Sequence, residues 1–407
     1  MDAGNLAWSV AATALVLFMT PGVAFFYGGL VKAKSVVSMM MMSFGALGLV
    51  SVLWVLYGFN MSAVSSTWAF AGNPFSDFGL GSADSDTLVG VTYGATFAII
   101  TVALISGAIA DRAKFGSWMI FAGVWATIVY FPVAAWVWGG GWIYNLGSSF
   151  GFDETVIDYA GGTAVHINAG AAALALSIVL GKRVGFQKGI NKPHNVPLVL
   201  LGASILWFGW FGFNAGAEGT FNLLGTPDSS VGLIVVNTLG ATAAAILGWL
   251  IVEKIKDGKA TSVGAASGAV AGLVAITPSC ANLSPVWAIV LGIIAGAVCA
   301  LAIELKWKLG FDDALDVVGV HLVGGIIGTL YLGFFAIDTG LFLGGGVHQL
   351  VLQFIAAVGV LIYSFVVAFV IGFAIEKTLG FRVKNEDEIA GVDTAVHGEE
   401  GYALEEV

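Results

Sequence analysis

The chain has 407 residues, of which 58% are hydrophobic and only 10% are charged, and its mean hydropathy is +0.93. Soluble domains carry charge on about a quarter of their residues, so this composition excludes a water-soluble globule. Because a membrane-spanning helix needs about 20 apolar residues, a chain of this length can hold roughly a dozen of them. The sequence therefore predicts an all-α, polytopic membrane protein.

Apolar runs separated by polar breaks predict eleven transmembrane helices. In chain order they cover residues 8–31, 36–60, 88–110, 116–138, 159–181, 196–218, 229–252, 261–278, 284–304, 316–337 and 347–377. Every Lys and Arg falls in an odd-numbered connection or in the C-terminal segment. Since basic residues stay on the cytoplasmic side, this alternation predicts an external N-terminus, a cytoplasmic C-terminus and a multi-pass location in the cell (plasma or inner) membrane.

Both ends of the chain carry further signals. The first ten residues lack the basic stretch of a cleavable signal peptide, so we expect the first helix to be retained. The last residues become polar and acidic, which divides the chain into a transmembrane domain, 1–380, and a cytoplasmic regulatory tail, 381–407. An acidic tail of this kind is solvated unless it docks on the protein.

The eighth predicted helix carries three glycines at four-residue spacing, Gly264, Gly268 and Gly272. Small residues at this spacing let helix backbones approach closely in a membrane. We therefore expect this helix to pack tightly against a neighbour.

Two of the five histidines, His166 and His321, lie well inside predicted helices, the fifth and the tenth. Ionisable residues inside a membrane are costly and usually mark functional sites. An offset of five helices reverses the orientation in the membrane, so the positions fit an inverted repeat of helices one to five on helices six to ten. The eleventh helix then lies outside the repeat.

The two imidazoles are expected to meet near the middle of the membrane. At 1.5 Å per residue, His166 is roughly 12 Å from the outer start of its helix and His321 is roughly 8 Å from the inner start of its own. A neutral imidazole has one donor and one acceptor nitrogen, so two of them can bond each other and a passing polar molecule. Two alternatives remain open, namely two separately hydrogen-bonded histidines and bis-His ligation of a haem.

Asp158 and Asp316 precede or begin the two histidine-bearing helices. Each carboxylate could simply cap the free amides of its helix. For Asp158, the second interpretation is a carboxylate that stabilises a cation at an outer vestibule.

Aromatic side chains are the candidates for such a vestibule. Trp138 ends the fourth predicted helix, while Phe97 and Phe213 lie in the outer halves of the third and sixth. Aromatic faces bind desolvated cations without a fixed counter-ion. Trp is also a common membrane-interface anchor, so composition alone does not single these residues out.

Several segments together resemble the ammonium transporter family (Amt/Mep/Rh), and in particular its bacterial and archaeal Amt branch. They are PGVAFFYGGLV (21–31), VWGGGW (137–142), DYAGGTAVHINAG (158–170), PHNVPLVLLGASILWFGWFGFNAG (193–216), GAVAGLVAITP (268–278), DDALDVVGVHLVGGIIGTL (312–330) and the tail motifs GFRV, EIAGVD and HGEEGY. The resemblance covers nearly the whole chain. It implies an eleven-helix homotrimer in which each protomer has its own narrow pore.

The resemblance also implies a function and a route for the substrate. Ammonium would be recruited at an external aromatic site formed by Trp138 and Phe97, with Asp158 supporting recruitment and deprotonation. Phe97 and Phe213 would stack as a gate, and ammonia would cross a hydrophobic pore. The protein would then be a transporter without enzymatic activity, cofactor or metal.

By the same resemblance, His166 and His321 are the twin-His pair of the pore, and Trp210 lines its lower part. The pair is the candidate relay for a separately moving proton. Ala217 departs from the family, because many bacterial relatives carry a Ser that contributes a hydroxyl to the recruitment site. Tyr93 is a milder change at an outer position where Phe is frequent.

The resemblance implies ammonium or ammonia and the lipid bilayer as partners, a PII-type (GlnK-class) signalling protein at the cytoplasmic face, and no nucleic acid. The alternative function is an ammonium sensor or transceptor that signals through its tail, which a fused kinase or cyclase domain would favour. A Rh-like gas channel is less favoured, since Trp138 and the acidic outer connections suggest recruitment of a cation.

Overall fold

The computed structural model describes residues 1–187 and 192–402. Within these ranges, eleven helices are long and apolar enough to cross a membrane, as the sequence predicted. They are α1 (Ala3–Leu30), α2 (Ala33–Met61), α3 (Ser85–Ile109), α4 (Phe115–Val137), α5 (Gly162–Leu180), α6 (Val196–Thr220), α7 (Val231–Asp257), α8 (Ser262–Ser279), α9 (Pro285–Leu309), α10 (Val318–Phe335) and α11 (His348–Thr378). The same ranges contain no β-strand, and one isolated bridge joins Ala113 to Arg382. We call the end that carries Trp138 the outer end, following the charge-based prediction.

The helices that begin the two halves, α1 and α6, cross at backbone contact. A methyl group at Gly202 would lie 2.2 Å from the backbone nitrogen of Phe26, and one at Gly29 would lie 2.7 Å from that of Val199. Side chains are thus excluded at the crossing, and the two helices gain close van der Waals packing, which is a main source of helix association in a membrane.

The glycines of α8 make the close contact that their spacing predicted. A methyl group at Gly268 would lie 2.8 Å from Cβ of Trp249, and one at Gly272 would lie 2.6 Å from Cβ of Ala245, both on α7. The prediction of tight packing by this helix is therefore confirmed.

The two histidine-bearing helices share a local irregularity. Both begin with a π-helical turn, Gly162–Ile167 in α5 and Val318–Leu322 in α10, and each turn contains the histidine. Turns of this type widen the helix locally and are frequent at functional sites. The matching turns agree with an inverted repeat that places the two histidines in equivalent positions.

The inner start of α10 corrects one expectation. The carboxylate that accepts from the first amides is that of Asp313, which bonds the backbone nitrogens of Val317 (3.1 Å) and Val318 (2.7 Å). Asp316 instead has a left-handed backbone (φ 63°) and accepts from Nζ of Lys306 at 2.6 Å. The capping interpretation of Asp316 is therefore wrong, because its neighbour three residues earlier occupies that role.

A buried ion-pair network closes the inner end. The guanidinium of Arg183 donates to Asp111 at 2.9 Å and to both carboxylate oxygens of Asp312 at 2.9 Å each. Arg112, fully buried, donates to the backbone oxygen of Asp312 at 2.6 Å. This network ties the α3–α4, α5–α6 and α9–α10 connections together.

The described part of the tail docks on this network. The backbone nitrogen of Val383 donates to the oxygen of Arg112 at 2.9 Å. The Glu388 carboxylate accepts from Arg382 at 2.8 Å and from the backbone nitrogen of Val184 at 2.6 Å. The tail is therefore packed against the inner end, and its last five residues, 403–407, lie outside the described residues.

Candidate functional site

A cavity of about 630 Å³ opens at the outer end, and Trp138, Phe97 and Tyr93 are among the residues that line it. The Trp138 indole is 37% exposed and meets the Phe97 ring edge-on, with ring centroids 6.1 Å apart. Its Nε1–H donates to the backbone oxygen of Asp158 at 2.8 Å. Trp138 is therefore held in one orientation beside Phe97, in the wall of the outer cavity.

Two phenylalanine rings close the floor of this cavity. Phe97 and Phe213 stack with centroids 4.2 Å apart and planes at 23°, and both are buried. Tyr93 packs edge-on against Phe97 at 4.9 Å, and its hydroxyl donates to the backbone oxygen of Phe213 at 2.9 Å. The stack lies between the outer cavity, which Phe97 lines, and the narrow space beneath it, which Phe213 lines.

Asp158 caps α5 with its whole carboxylate. Its oxygens accept from the backbone nitrogens of Gly161 (2.8 Å), Gly162 (2.5 Å), Thr163 (2.8 Å) and Ala164 (3.1 Å), and also from the Thr163 hydroxyl. Gly161 turns the chain into the helix with φ 121°, which a side chain would strain. A carboxylate offers about four acceptor positions, so these donors occupy them all. Asp158 thus acts here as a helix cap that also positions Trp138 through its backbone.

We expect Asp158→Asn to weaken both the fold and the outer site. An amide can accept with only one of its two groups, so several amides of α5 lose their partner and the cap loses about 1–2 kcal/mol. The melting temperature in detergent should fall and the ammonium concentration for half-maximal transport should rise. A lower transport rate at an unchanged melting temperature would instead support a direct role of the carboxylate in taking a proton.

Beneath the phenylalanine stack, the two buried histidines face each other. Nδ1 of His166 lies 3.2 Å from Nδ1 of His321, and the rings are nearly parallel at 26°. One ring must therefore carry its hydrogen on Nδ1 and the other must not. Among the described residues, no group of three or more His, Cys, Asp or Glu side chains is placed to hold a metal ion. The expected meeting of the two residues thus occurs, as a direct hydrogen bond.

The space beside the imidazoles is narrow and mostly apolar. A lumen of about 10 Å³ lies next to the pair and is lined also by Trp210, Phe213 and aliphatic side chains such as Leu206. That volume is about that of a single water-sized probe. Nε2 of His166 is buried there without a hydrogen-bond partner among the described residues.

Trp210 is fixed in place by a residue that the sequence did not single out. Its ring stacks on His166 at 5.6 Å, and its Nε1–H donates to the Thr277 hydroxyl at 2.8 Å. Thr277 in turn donates to the backbone oxygen of Leu273 at 2.7 Å. In the sequence, the one indication of this contact is a polar Thr at the end of an apolar helix. Such residues are too frequent to identify a site.

Two further histidines lie away from the lumen. His348 is exposed, and its ring stacks on Phe152. His194 is partly buried, because its Nδ1 bonds the backbone oxygen of Val31 and its Nε2 bonds the hydroxyl of Tyr402 in the docked tail. The tail thus supplies a hydrogen-bond partner to a residue of the α5–α6 connection.

Eleven membrane-spanning helices around a lumen closed by aromatic rings define a multi-pass membrane transport protein. Residues 7–402 match the family model described as "Ammonium Transporter Family". The chain therefore belongs to the ammonium transporter family.

Known ammonium transporters are similar to this chain over nearly its whole length. An ammonium transporter of Mycobacterium tuberculosis is 50% identical over 444 residues, covering 98% of this chain and 90% of the relative. The solved structure of Candida albicans Mep2 is 30% identical with a TM-score of 0.84, covering 100% of this chain and 94% of that one. A structure described as "Sensor Amt Protein" is 28% identical with a TM-score of 0.87, covering 97% and 98%. These likenesses confirm the predicted family, the membrane fold and a transporter rather than an enzyme.

Proposed function

We propose that this protein recruits ammonium at the outer aromatic site, removes one proton and conducts ammonia through the lumen beneath the phenylalanine stack. The observation that carries the proposal is the His166–His321 pair, which places two hydrogen-bonding rings in a mostly apolar lumen. Such a lumen suits a small neutral molecule that can both donate and accept a hydrogen bond.

Recruitment rests on Trp138 and Phe97. Their rings line one cavity and stand nearly perpendicular, and the Trp138 side chain is partly exposed to an arriving cation. A cation held by an aromatic face gains about 0.5–2 kcal/mol, depending on how far it is desolvated. An interaction of this size concentrates ammonium without retaining it.

Selectivity follows from the lumen and not from a size filter. Ammonium and potassium are similar in size, so a sieve separates them poorly. The lumen carries no fixed charge among its lining residues, which makes the entry of any bare ion unfavourable. Ammonium can shed a proton and enter as ammonia, whereas potassium has no neutral form.

The proton needs its own route, and the imidazole pair is the candidate relay. The Nδ1–Nδ1 hydrogen bond and the unpartnered Nε2 of His166 form a chain of exchangeable positions along the lumen. Histidine changes its protonation easily near neutral pH, which suits a relay. Asp158 contributes through its hold on Trp138 and on the start of α5, because its carboxylate is fully engaged.

The quaternary arrangement and the regulation belong to the same proposal. We infer a homotrimer with one pore per protomer, a transmembrane domain of 1–380 and a regulatory tail of 381–407. A PII-type (GlnK-class) protein would bind at the inner end. The docked tail supports regulation there, since it contacts the connections of several pore helices through Arg112 and Val184.

The direct test is current on a solid-supported membrane that carries the purified protein. Ammonium pulses should give a current, potassium pulses of equal concentration should not, and protein-free vesicles should be silent to both. A pH-sensitive dye inside the vesicles measures uncharged ammonia entry in parallel.

The outcomes separate three kinds of protein. An ammonium current without a potassium current supports transport with a moving charge. Dye response without current supports conduction of ammonia alone. Neither signal, in a preparation that still binds ammonium, contradicts the proposal and favours a sensor.

A further inference from the structure

A tyrosine and a buried glutamate lie beside the outer cavity at the end of α6. Ala217 lines the cavity with a methyl group, and the half-buried Tyr159 lines it with a phenol. The Tyr159 hydroxyl donates to Oε1 of Glu218, the residue after Ala217, at 2.7 Å. The phenol of Tyr159 and the carboxylate of Glu218 thus lie beside Ala217, where α6 presents only a methyl group to the cavity.

Glu218 is a buried carboxylate with only neutral donors around it. Its side chain is almost fully buried, and Oε2 accepts from the Ser229 hydroxyl at 2.9 Å and from the backbone nitrogen of Ser230 at 3.1 Å. None of its described partners is a Lys, Arg or His, and the outer connections contain no Lys or Arg. The Met1 ammonium lines the same cavity but pairs with Asp86. A buried charge is costly unless a counter-charge is near. The site is therefore arranged to favour a cation that comes from outside the protein.

Tyr159 links this charge to the cavity. Its backbone nitrogen donates to the oxygen of Pro278 at 3.1 Å, which fixes the residue between α5 and α8. Burial, and next the hydrogen bond to Glu218, raise the pKa of the Tyr159 phenol above its ordinary value. The phenol thus keeps its proton and directs it to Glu218, so its oxygen lone pairs stay available. A hydroxyl that donates to a carboxylate becomes a better acceptor itself.

We propose that Tyr159 and Glu218 complete the outer ammonium site: the Tyr159 oxygen accepts an N–H of the cation beside Ala217, and Glu218 orients the phenol and supplies the negative charge. Tyr159 is then a binding residue and Glu218 a positioning residue. This inference rests on the proposed function, because it assigns new residues to the same recruitment site.

The test measures ammonium binding and transport separately. Calorimetric titration of the purified protein with ammonium chloride, with sodium chloride as the ionic-strength control, gives the binding constant. Current at a series of ammonium concentrations gives the half-saturating concentration and the maximal rate. We expect Tyr159→Phe to weaken binding about tenfold and Glu218→Gln about three- to tenfold, as for a charge-assisted hydrogen bond, with the maximal current changed less than about twofold.

Two further variants separate a binding role from a structural one. Ala217→Ser places a hydroxyl in the cavity, so it should recover most of the affinity lost in Tyr159→Phe. The matched control is Asp228→Asn, which removes a carboxylate from the same connection as Ser229 but at an exposed position. Its affinity should stay within about twofold of the original protein, because water screens an exposed charge.

Unchanged affinity in Tyr159→Phe overturns the inference, as does a loss that Ala217→Ser fails to recover. An equal loss in Asp228→Asn also overturns it, since general surface charge would then explain the effect. If Glu218→Gln does not fold, Tyr159→Phe with and without Ala217→Ser decides the question. An unmodified protein that binds ammonium but passes neither current nor ammonia refutes the proposed transport, while the binding titrations still test this inference.

Discussion

Replacing both His166 and His321 by Ala should lower the ammonium current roughly 10- to 100-fold, because an unmet hydrogen bond in an apolar lumen costs about 1–3 kcal/mol and 1.4 kcal/mol is tenfold. The two imidazoles line the lumen beneath the phenylalanine stack, and the donor groups of the other polar side chains there, Tyr27 and Trp210, are already hydrogen-bonded within the protein. Without them, ammonia would cross with no partner for its own hydrogen bonds, and the proposed proton relay would be broken. The measurement is current in vesicles at saturating ammonium.

The control for the histidine pair is His348→Ala. That imidazole is exposed at the outer end of α11 and stacks on Phe152, away from the lumen. Its current should remain close to that of the unaltered protein. A double variant that keeps full ammonium current and still rejects potassium would refute the role of the pair. Loss of current with intact dye-reported ammonia entry would assign the pair to proton movement alone.

The second large effect is expected from Asp312→Asn at the inner end. Arg183 is buried and donates to both oxygens of Asp312, so removal of the negative charge leaves a buried cation that, within the described residues, keeps Asp111 as its remaining counter-charge. Loss of one partner from a buried pair costs about 3–5 kcal/mol. The melting temperature in detergent should therefore fall clearly, and the docked tail should become easier to cleave with protease.

Asp257→Asn is the matched control for this variant. It removes a carboxylate at the same inner end, from the exposed last residue of α7. Because substitutions at exposed surface positions usually change stability by no more than about 0.5 kcal/mol, its melting temperature should change little. Equal melting temperatures for Asp312→Asn and the original protein would show that the network does not stabilise the inner end.

The fall in melting temperature caused by Asp312→Asn should also depend on pH. Burial alone would raise its pKa, but the hydrogen bonds and charges of Arg183 and Arg112 outweigh burial and hold the pKa of Asp312 below its ordinary value. A carboxyl whose pKa is lower in the folded state stabilises the protein above its unfolded value of about 3.9, and this stabilisation is lost as the pH falls through the folded value. The difference in melting temperature between Asp312→Asn and the unaltered protein should be largest near pH 7 and should shrink below about pH 4. Melting curves across this range measure it.

Much of the fold was accessible from the sequence because a membrane imposes few solutions. Backbone groups in lipid must bond within a helix, so long apolar runs become spanning helices. The glycine spacing of α8 likewise predicted a close helix contact, since small residues are what such a contact requires. The pairing of His166 with His321 could be anticipated from depth and from the five-helix offset between them.

The details of the site were less accessible, because they depend on side chains far apart in the chain. Asp158 was open to two interpretations until the four amides and one hydroxyl around it showed that the carboxylate caps α5. Asp316 was interpreted as a cap, but Asp313 takes that place. The stacking of Phe97 on Phe213 rested on resemblance alone, since the chain contains 28 Phe and nothing local distinguishes these two.

By itself, the sequence determined that this is an eleven-helix membrane protein with two histidines at mid-membrane depth and an acidic tail, because hydropathy and charge are read locally along the chain. Only the tertiary structure decided that Arg183 is enclosed by Asp111 and Asp312, that the tail docks through Glu388, and that Tyr159 meets Glu218. Each of these contacts joins residues 59 to 204 positions apart. Hydrogen bonds and ion pairs act over a few ångströms, so they are set by how the helices cross and not by the order of residues.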